Sequence, residues 1–131
     1  VGAVILLLAP SRPAALPPGA TPLDLLTQPP RLWPPSGFGC PAALMPPIRV
    51  ERDGGALVFT RVADGKRVSV AWPSGFSARL LNGRAELVRP DGLVFARERD
   101  VISNLEAGSA DNGDSLVCIS FVSQPEVSRA P

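Results

Sequence analysis

The residues of this chain that could do chemistry are few, and the absence of histidine and tyrosine limits them further. Without histidine there is no imidazole base, no Ser–His or Cys–His pair and no imidazole metal ligand. Two cysteines far apart in the chain cannot build a structural zinc site by themselves. Catalysis would have to rest on carboxylates, arginine, serine or a lone thiol. We therefore expect a protein with no catalytic residues, no metal and no cofactor.

Two acidic groupings remain as candidate sites. Residues 109–114 (SADNGD) offer oxygen ligands for Ca²⁺ but lack the ligand spacing and the distal glutamate of a calcium loop. An exposed loop is the favoured interpretation there. Glu98 and Asp100 stand two residues apart at the end of a predicted strand, which places both on one face. We expect them to mark a solvated surface, and residue type alone gives no support for an acid–base pair.

The two cysteines allow a covalent link. Cys40 lies in a proline-rich stretch and Cys118 lies in a predicted strand. A bond between them would close a long loop, which the chain-entropy model values at ~4–5 kcal/mol. The alternative is a pair of buried thiols that act as small apolar side chains. We predict the disulfide, because a single pair of cysteines and an export-like start of the chain agree with it.

These residues must be positioned by the fold of the chain, and the composition is that of one folded domain. The chain has 131 residues, of which 45% are hydrophobic, enough for one modest core. Thirteen basic residues nearly balance twelve acidic ones, and the net charge of +1 gives no general attraction for nucleic acid or anionic lipid. The aromatic residues that would have to stack on bases fall at predicted core positions. We expect no nucleic-acid partner.

Residues 1–9 (VGAVILLLA) form an uncharged apolar segment that is too short to span a bilayer. The segment resembles the apolar part of a signal peptide, and Ala9-Pro10-Ser11 has the small-x-small form of a cleavage site. Three interpretations stay open: the end of an uncleaved signal anchor, an apolar strand or helix packed on a partner, or a translation-start artefact. The first two predict an extracytoplasmic protein, in the periplasm, at the cell surface or secreted, with membrane association left open.

Residues 10–47 are predicted to be an extended arm. Twelve of the sixteen prolines lie at or before Pro47, and proline fixes φ and removes a backbone donor. The arm should be partly polyproline II, with one helical turn allowed at residues 23–26. Its regularly spaced apolar side chains suit a chain that lies along a surface. That surface is either its own domain or another subunit.

Residues 48–123 are predicted to be all-β, followed by a tail at 124–131. Short β-branched or apolar runs alternate with Asp-Gly and Asn-Gly turns, which supply the positive φ of tight hairpins. Seven strands are predicted, at residues 48–52, 56–63, 66–72, 76–81, 84–89, 93–98 and 116–122. So many short strands favour a small antiparallel barrel of the OB or SH3-like kind.

Two stretches of the chain share a motif: residues 33–38 read WPPSGF, and residues 72–76 read WPSGF, without the second proline. The second copy ends a strand of strict alternation, so it predicts a hairpin corner with Trp72 and Phe76 facing the core. The first copy has no flanking strand and predicts an aromatic anchor on the arm. If either tryptophan contacts a partner, we expect it to be Trp33.

The second copy also opens a segment, Val70–Leu105, with a wider pattern: a strand ending in W-P-x-G-F, a hairpin, and D-G-x-V-x-A-R-x-G-D-x-V. Here residues 91–101 read DGLVFARERDV, with Arg99 where glycine is usual. This segment, about a quarter of the chain, resembles small, largely uncharacterised bacterial extracytoplasmic domains of OB- or SH3-like β-barrel type. The resemblance implies a secreted or lipid-anchored β-barrel module, and it carries no catalytic residues.

These observations predict a non-enzymatic extracytoplasmic structural or interaction module. Its arm would dock it into a larger envelope or membrane complex, or into a filament of its own copies by β-augmentation. The alternative is a β-barrel module that binds a small ligand or glycan. The predicted partner-binding residues are the apolar ones of the first segment and the arm: Val4, Ile5, Leu6, Leu7, Leu8, Leu25, Leu26, Trp33 and Phe38.

Overall fold

The computed structural model describes residues 13–28, 43–109, 113–117 and 125–130, and these residues form an all-β protein. Their strands, in chain order, are β1 (Thr21–Leu23), β2 (Ala43–Leu44), β3 (Ile48–Asp53), β4 (Ala56–Arg61), β5 (Arg67–Val68), β6 (Val70–Ala71), β7 (Ser77–Leu81), β8 (Arg84–Val88), β9 (Val94–Arg97), β10 (Val101–Ser103), β11 (Glu106–Ser109), β12 (Ser115–Val117) and β13 (Glu126–Ser128). In these ranges there is no helix of the length and apolarity needed to cross a bilayer.

The strands make three sheets, in the orders β1-β7-β8-β9, β13-β10-β3-β4-β5 and β2-β11-β12-β6. Two predicted hairpins are confirmed: β3 and β4 pair across the turn at Gly54, and β7 and β8 pair across Asn82 and Gly83. Asn82 and Gly83 both have positive φ, as a two-residue hairpin turn requires. The core lies between the sheets and includes Ile48, Val50, Leu87 and Ile102, all fully buried.

The described strands do not close into a barrel. Strand β6 pairs in parallel with β12 and not with its neighbour in sequence, β7. The chain therefore changes sheets at this point instead of extending one sheet until it closes. The prediction of an OB- or SH3-like barrel is correct only at the level of an all-β fold.

The second W-P-S-G-F motif makes that change of sheet. Gly75 has φ 96°, and the amide of Phe76 donates to the carbonyl oxygen of Pro73 at 3.2 Å, which makes a tight turn. Trp72 and Phe76 are both buried, with ring centroids 5.7 Å apart, and Phe59 lies 5.3 Å from Trp72. The prediction that both aromatics face the core is confirmed. The predicted hairpin is wrong, because the turn connects β6 and β7 of different sheets.

Part of the proline-rich arm is a strand of the domain itself. Strand β1 pairs antiparallel with β7, with Pro22 opposite Arg79. β1 lies at the edge of its sheet, the place where a residue without an N–H is tolerated. The allowed helical turn at residues 23–26 is wrong, because Leu23 belongs to β1 and Asp24 forms a parallel bridge with Ala56.

The turn before Asp100 forms even though arginine occupies the position of the usual glycine. Arg99 has φ 75°, and the amide of Asp100 donates to the carbonyl oxygen of Arg97 at 2.9 Å. The amide of Arg99 donates to the carbonyl oxygen of Val50 at 2.6 Å, which fixes the turn against β3. An L-residue with a Cβ is strained at this φ by roughly 1–2 kcal/mol.

We therefore expect Arg99→Gly to stabilise the protein, by about 0.5–1 kcal/mol, because glycine relieves the strain but loses more chain entropy on folding. The urea midpoint of unfolding measures the gain. Asn82→Gly is the matched control: Asn82 has φ 53°, and asparagine tolerates this region, so a smaller gain is expected there. An equal or larger gain at Asn82 would contradict the strain at Arg99.

Candidate functional site

A buried carboxylate, Asp100, lies at the junction of β9, β10 and β13, and it is fully inaccessible to solvent. Its Oδ2 accepts hydrogen bonds from the amide of Arg97 (2.8 Å) and from Nη1 of Arg129 (3.0 Å). Its Oδ1 accepts one from the amide of Ala130 (2.9 Å), and Nη2 of Arg84 lies 3.6 Å away. Both oxygens are thus occupied by donors from three parts of the chain.

The environment of Asp100 favours its charged form. Burial by itself raises the pKa of this carboxyl. The amides of Ala130 and Arg97 and the Arg129 guanidinium together lower the pKa by more than burial raises it, so the pKa lies below the ordinary value of 3.8. The prediction of a solvated surface at residues 98–100 is wrong for Asp100. The turn at Arg99 breaks the strand, so Glu98 and Asp100 do not share one strand face.

A second buried acid, Glu86, forms a ladder of charges across the first sheet. It lies in β8, opposite Arg79 of β7 and opposite Arg97 of β9. Its Oε1 accepts from Nε of Arg79 and its Oε2 from Nε of Arg97, each at 2.8 Å. The side chains of Glu86 and Arg79 are only 7% and 12% exposed. Such a pair is costly to break, because the remaining charge stays buried.

The arm crosses from one sheet to another at Gln28. The amide of Asp24 donates to Gly55 (2.8 Å), and the amide of Trp72 donates to Leu26 (2.9 Å). The buried side chain of Gln28 then donates from Nε2 to the carbonyl oxygens of Ala71 in β6 and Val117 in β12, both at 2.9 Å. One amide thus connects the arm to both strands of the parallel pair.

We expect Gln28→Ala to lower the free energy of unfolding by about 1–3 kcal/mol, because it leaves two buried carbonyl oxygens without this donor. Chemical denaturation followed by circular dichroism measures the loss. Thr27→Ala, at an exposed neighbouring position, is the control and should change stability by less than about 0.5 kcal/mol. Equal effects at the two positions would show that the Nε2 contacts contribute nothing.

An open cleft of about 360 Å³ lies beside the arm. Its walls come from the arm, from β4 and from the strands β5 and β6: Leu26, Leu57, Val58, Phe59, Arg67, Val68, Ser69 and Val70. Two of these carry polar side chains that are already engaged: Arg67 pairs with Asp53 at 2.6 Å, and the Ser69 hydroxyl donates to Asp114 at 2.6 Å. The lining of the cleft is therefore mainly apolar, with two polar side chains, Arg67 and Ser69.

The predicted partner-binding residues fall into two groups. Leu25 is half-buried and packs against the core of its own domain, whereas Leu26 is 47% exposed at the cleft. The others, and the predicted disulfide, lie outside the described residues: Val4, Ile5, Leu6, Leu7, Leu8, Trp33, Phe38, Cys40 and Cys118. Of the two tryptophans, Trp72 is buried, so any partner contact by tryptophan would have to come from Trp33.

The candidate calcium loop is described only in part. Asp114 accepts the hydrogen bond from Ser69, and Gly113 has φ 92°, as expected of a turn. Within the described ranges, no three histidine, cysteine or acidic residues come close enough together to hold a metal ion.

Sequence reasoning missed the roles of Asp100, Glu86 and Gln28. An available signal was the position of Glu86 between two predicted strands that each carry an arginine.

Comparison of the chain with protein-family models, with curated proteins and with solved structures finds no match to any of them.

Proposed function

We propose that this protein is a non-enzymatic, extracytoplasmic structural or interaction module that docks into a larger envelope or membrane complex, or into a filament. The observation that carries the proposal is that the backbone of the arm is hydrogen-bonded to the domain while an apolar side chain of the arm stays exposed. Backbone hydrogen bonds to Gly55, Leu57 and Trp72 fix the path of residues 24–28, while Leu26 remains 47% exposed. An apolar side chain held on a fixed backbone loses little entropy when a partner covers it.

The attachment of the arm to the domain also limits which residues can contact a partner. Leu25 is half-buried against the core of its own domain, so it offers less surface to another chain than Leu26 does. Leu26 and the neighbouring apolar wall of the cleft are available. The docking surface that we propose consists of Leu26, Val58 and Val68, which line the cleft together.

The buried acids support a structural role over a catalytic one. Both oxygens of Asp100 and both oxygens of Glu86 already accept hydrogen bonds from N–H donors. A general acid or base must exchange a proton with a substrate within hydrogen-bond reach. These carboxylates instead connect strands to one another.

The test is the size of the native particle in the envelope fraction of the producing cells. We expect the wild-type chain to migrate in a particle larger than a monomer, and Leu26→Asp to shift it toward monomer size. Leu93→Asp is the control, since Leu93 is also an exposed leucine, at 60%, but lies outside the arm and the cleft. A wild-type particle of monomer size would refute the docking proposal.

The cleft also favours a second candidate function, the binding of a small ligand or glycan. Its volume of about 360 Å³ is at the lower end of ligand-binding pockets, which range over about 300–1,000 Å³. Arg67→Ala separates the two functions. The replacement should weaken the binding of a ligand that hydrogen-bonds to Arg67, measured by amide chemical-shift titration with oligosaccharides, and should leave the particle size unchanged.

A further inference from the structure

The segment that contains β13 is attached to the domain in the way that a bound peptide is attached to a sheet edge. Among the strands of the described residues, β13 pairs with β10 alone, with Ile102 opposite Val127. Val127 packs against the core, while Glu126 and Ser128 on either side of it are exposed. An added strand gains affinity from backbone hydrogen bonds and specificity from alternate side chains.

Two further contacts follow the strand, and both go to Asp100. Nη1 of Arg129 donates to Oδ2 at 3.0 Å, and the amide of Ala130 donates to Oδ1 at 2.9 Å. A carboxylate that accepts from a guanidinium and from the next amide recognises an arginine in an extended chain. The groove therefore contacts a valine and, two residues later, an arginine of this segment.

The groove is already formed by residues outside the segment. Asp100 is held by the amide of Arg97 at 2.8 Å, and Arg84 lies 3.6 Å from Oδ1, so the carboxylate keeps partners when the segment leaves. Strand β10 is held on its other side by β3. Release of β13 would expose the edge of β10, whose unpaired backbone groups are a template for another strand.

We propose that the edge of β10 and the Asp100 carboxylate form an acceptor groove for an extended Val-x-Arg segment, filled by residues 126–130 of the same chain or, on release, by residues 126–130 of a second copy. The second copy is the occupant because its segment makes the same ladder, the same Val127 contact and the same two bonds to Asp100. A three-residue edge strand with one packed side chain opens more readily than the rest of the sheet. This surface is distinct from Leu26 and the cleft, and the inference does not depend on the proposed function.

The first experiment measures binding of a fluorescent peptide of residues 124–131 (QPEVSRAP), capped at both ends, to the full chain. In Val127→Asp the chain's own segment is weakened but the groove is intact, so we expect this variant to bind the peptide at least about tenfold more tightly than wild type, whose groove is filled at an effective concentration in the millimolar range. A peptide with Arg129→Glu should not bind. A folded Val127→Asp chain that ignores the peptide, or binds both peptides equally, overturns the proposal.

Arg129→Glu in the full chain is a second variant with the same purpose, because the Arg129 side chain is 54% exposed and its replacement leaves the core untouched. It should also bind the wild-type peptide more tightly than wild type does.

The second experiment tests whether the segment of a second copy occupies the groove. Wild-type protein is concentrated, unfolded briefly in acid and returned to neutral pH, and its mass is followed by light scattering. We expect a dimer that Val127→Asp does not form, and a wild-type chain that stays monomeric refutes exchange between copies.

Discussion

Asp100→Ala is expected to lower the free energy of unfolding by ~3–5 kcal/mol, because it removes the buried, charged acceptor of three hydrogen bonds at once. The amides of Arg97 and Ala130 lose their partner, and Arg129 loses its counter-charge. A loss of this size is a large part of the ~5–15 kcal/mol by which domains are stable. Urea unfolding followed by circular dichroism measures it.

Asp53→Ala is the matched control for that experiment. Asp53 also pairs with an arginine, Arg67, at 2.6 Å, but the side chains are 62% and 58% exposed. An exposed pair contributes about 0–1 kcal/mol. If the two replacements had equal effects, the burial of Asp100 would not be the source of its contribution.

The same carboxyl predicts how stability changes with pH. The pKa of Asp100 is lower in the folded protein than the ordinary value of 3.8, so the folded state binds the proton more weakly than the unfolded chain does. Its contribution is therefore complete above the unfolded pKa and is lost as the pH falls through the lowered folded pKa. We expect Asp100→Asn to flatten the fall in stability below pH ~4, relative to wild type, in denaturation curves measured across this range.

Glu86→Ala is expected to cost a similar ~3–5 kcal/mol, because it leaves the guanidinium of Arg79 buried without a counter-charge. The Arg79 side chain is 12% exposed, so water cannot replace the lost carboxylate without opening the sheet. Thermal and urea unfolding of the single variant measure the cost. Arg97, at 39% exposure, can turn to solvent and should contribute less.

Replacing all three members together tests the same physics in the opposite direction. The variant with Arg79→Met, Glu86→Leu and Arg97→Met removes every charge of the ladder and leaves none unpaired. We expect its stability to lie within about 1 kcal/mol of wild type or above it, because well-packed apolar replacements of buried ion pairs are often neutral or stabilising. A triple variant as unstable as Glu86→Ala would show that the charges contribute more than their mutual neutralisation.

The sequence predicts the local elements well, because turn chemistry and alternation act over a few residues. The hairpins at Gly54 and at Asn82–Gly83, and the inward-facing Trp72 and Phe76, follow from such local rules. Strands β1, β2, β10, β11 and β13 were not predicted. They are two to four residues long, and each pairs with at least one strand that is distant in sequence.

The buried acids escape prediction for a related reason. Whether a carboxylate is solvated depends on which segments pack around it, and Asp100 is covered by Arg129 and Ala130, about thirty residues further along the chain. Glu98 and Asp100 look equivalent in the sequence, and only the positive φ of Arg99 separates them. Burial of polar groups is a property of the assembled fold, so local pattern alone cannot give it.

The junction at Gln28 has a consequence for the order in which the chain folds. Its two hydrogen bonds join residues that are 43 and 89 positions apart, whereas the hairpins β3–β4 and β7–β8 join near neighbours. Closing long loops costs chain entropy before any contact compensates for it, so long-range contacts slow folding. The hairpins are therefore expected to form early, and the arm is expected to attach last, after Ala71 and Val117 have come together. The hydrogen bonds of Gln28 thus form after the folding transition state, so their loss should raise the unfolding rate more than it lowers the folding rate.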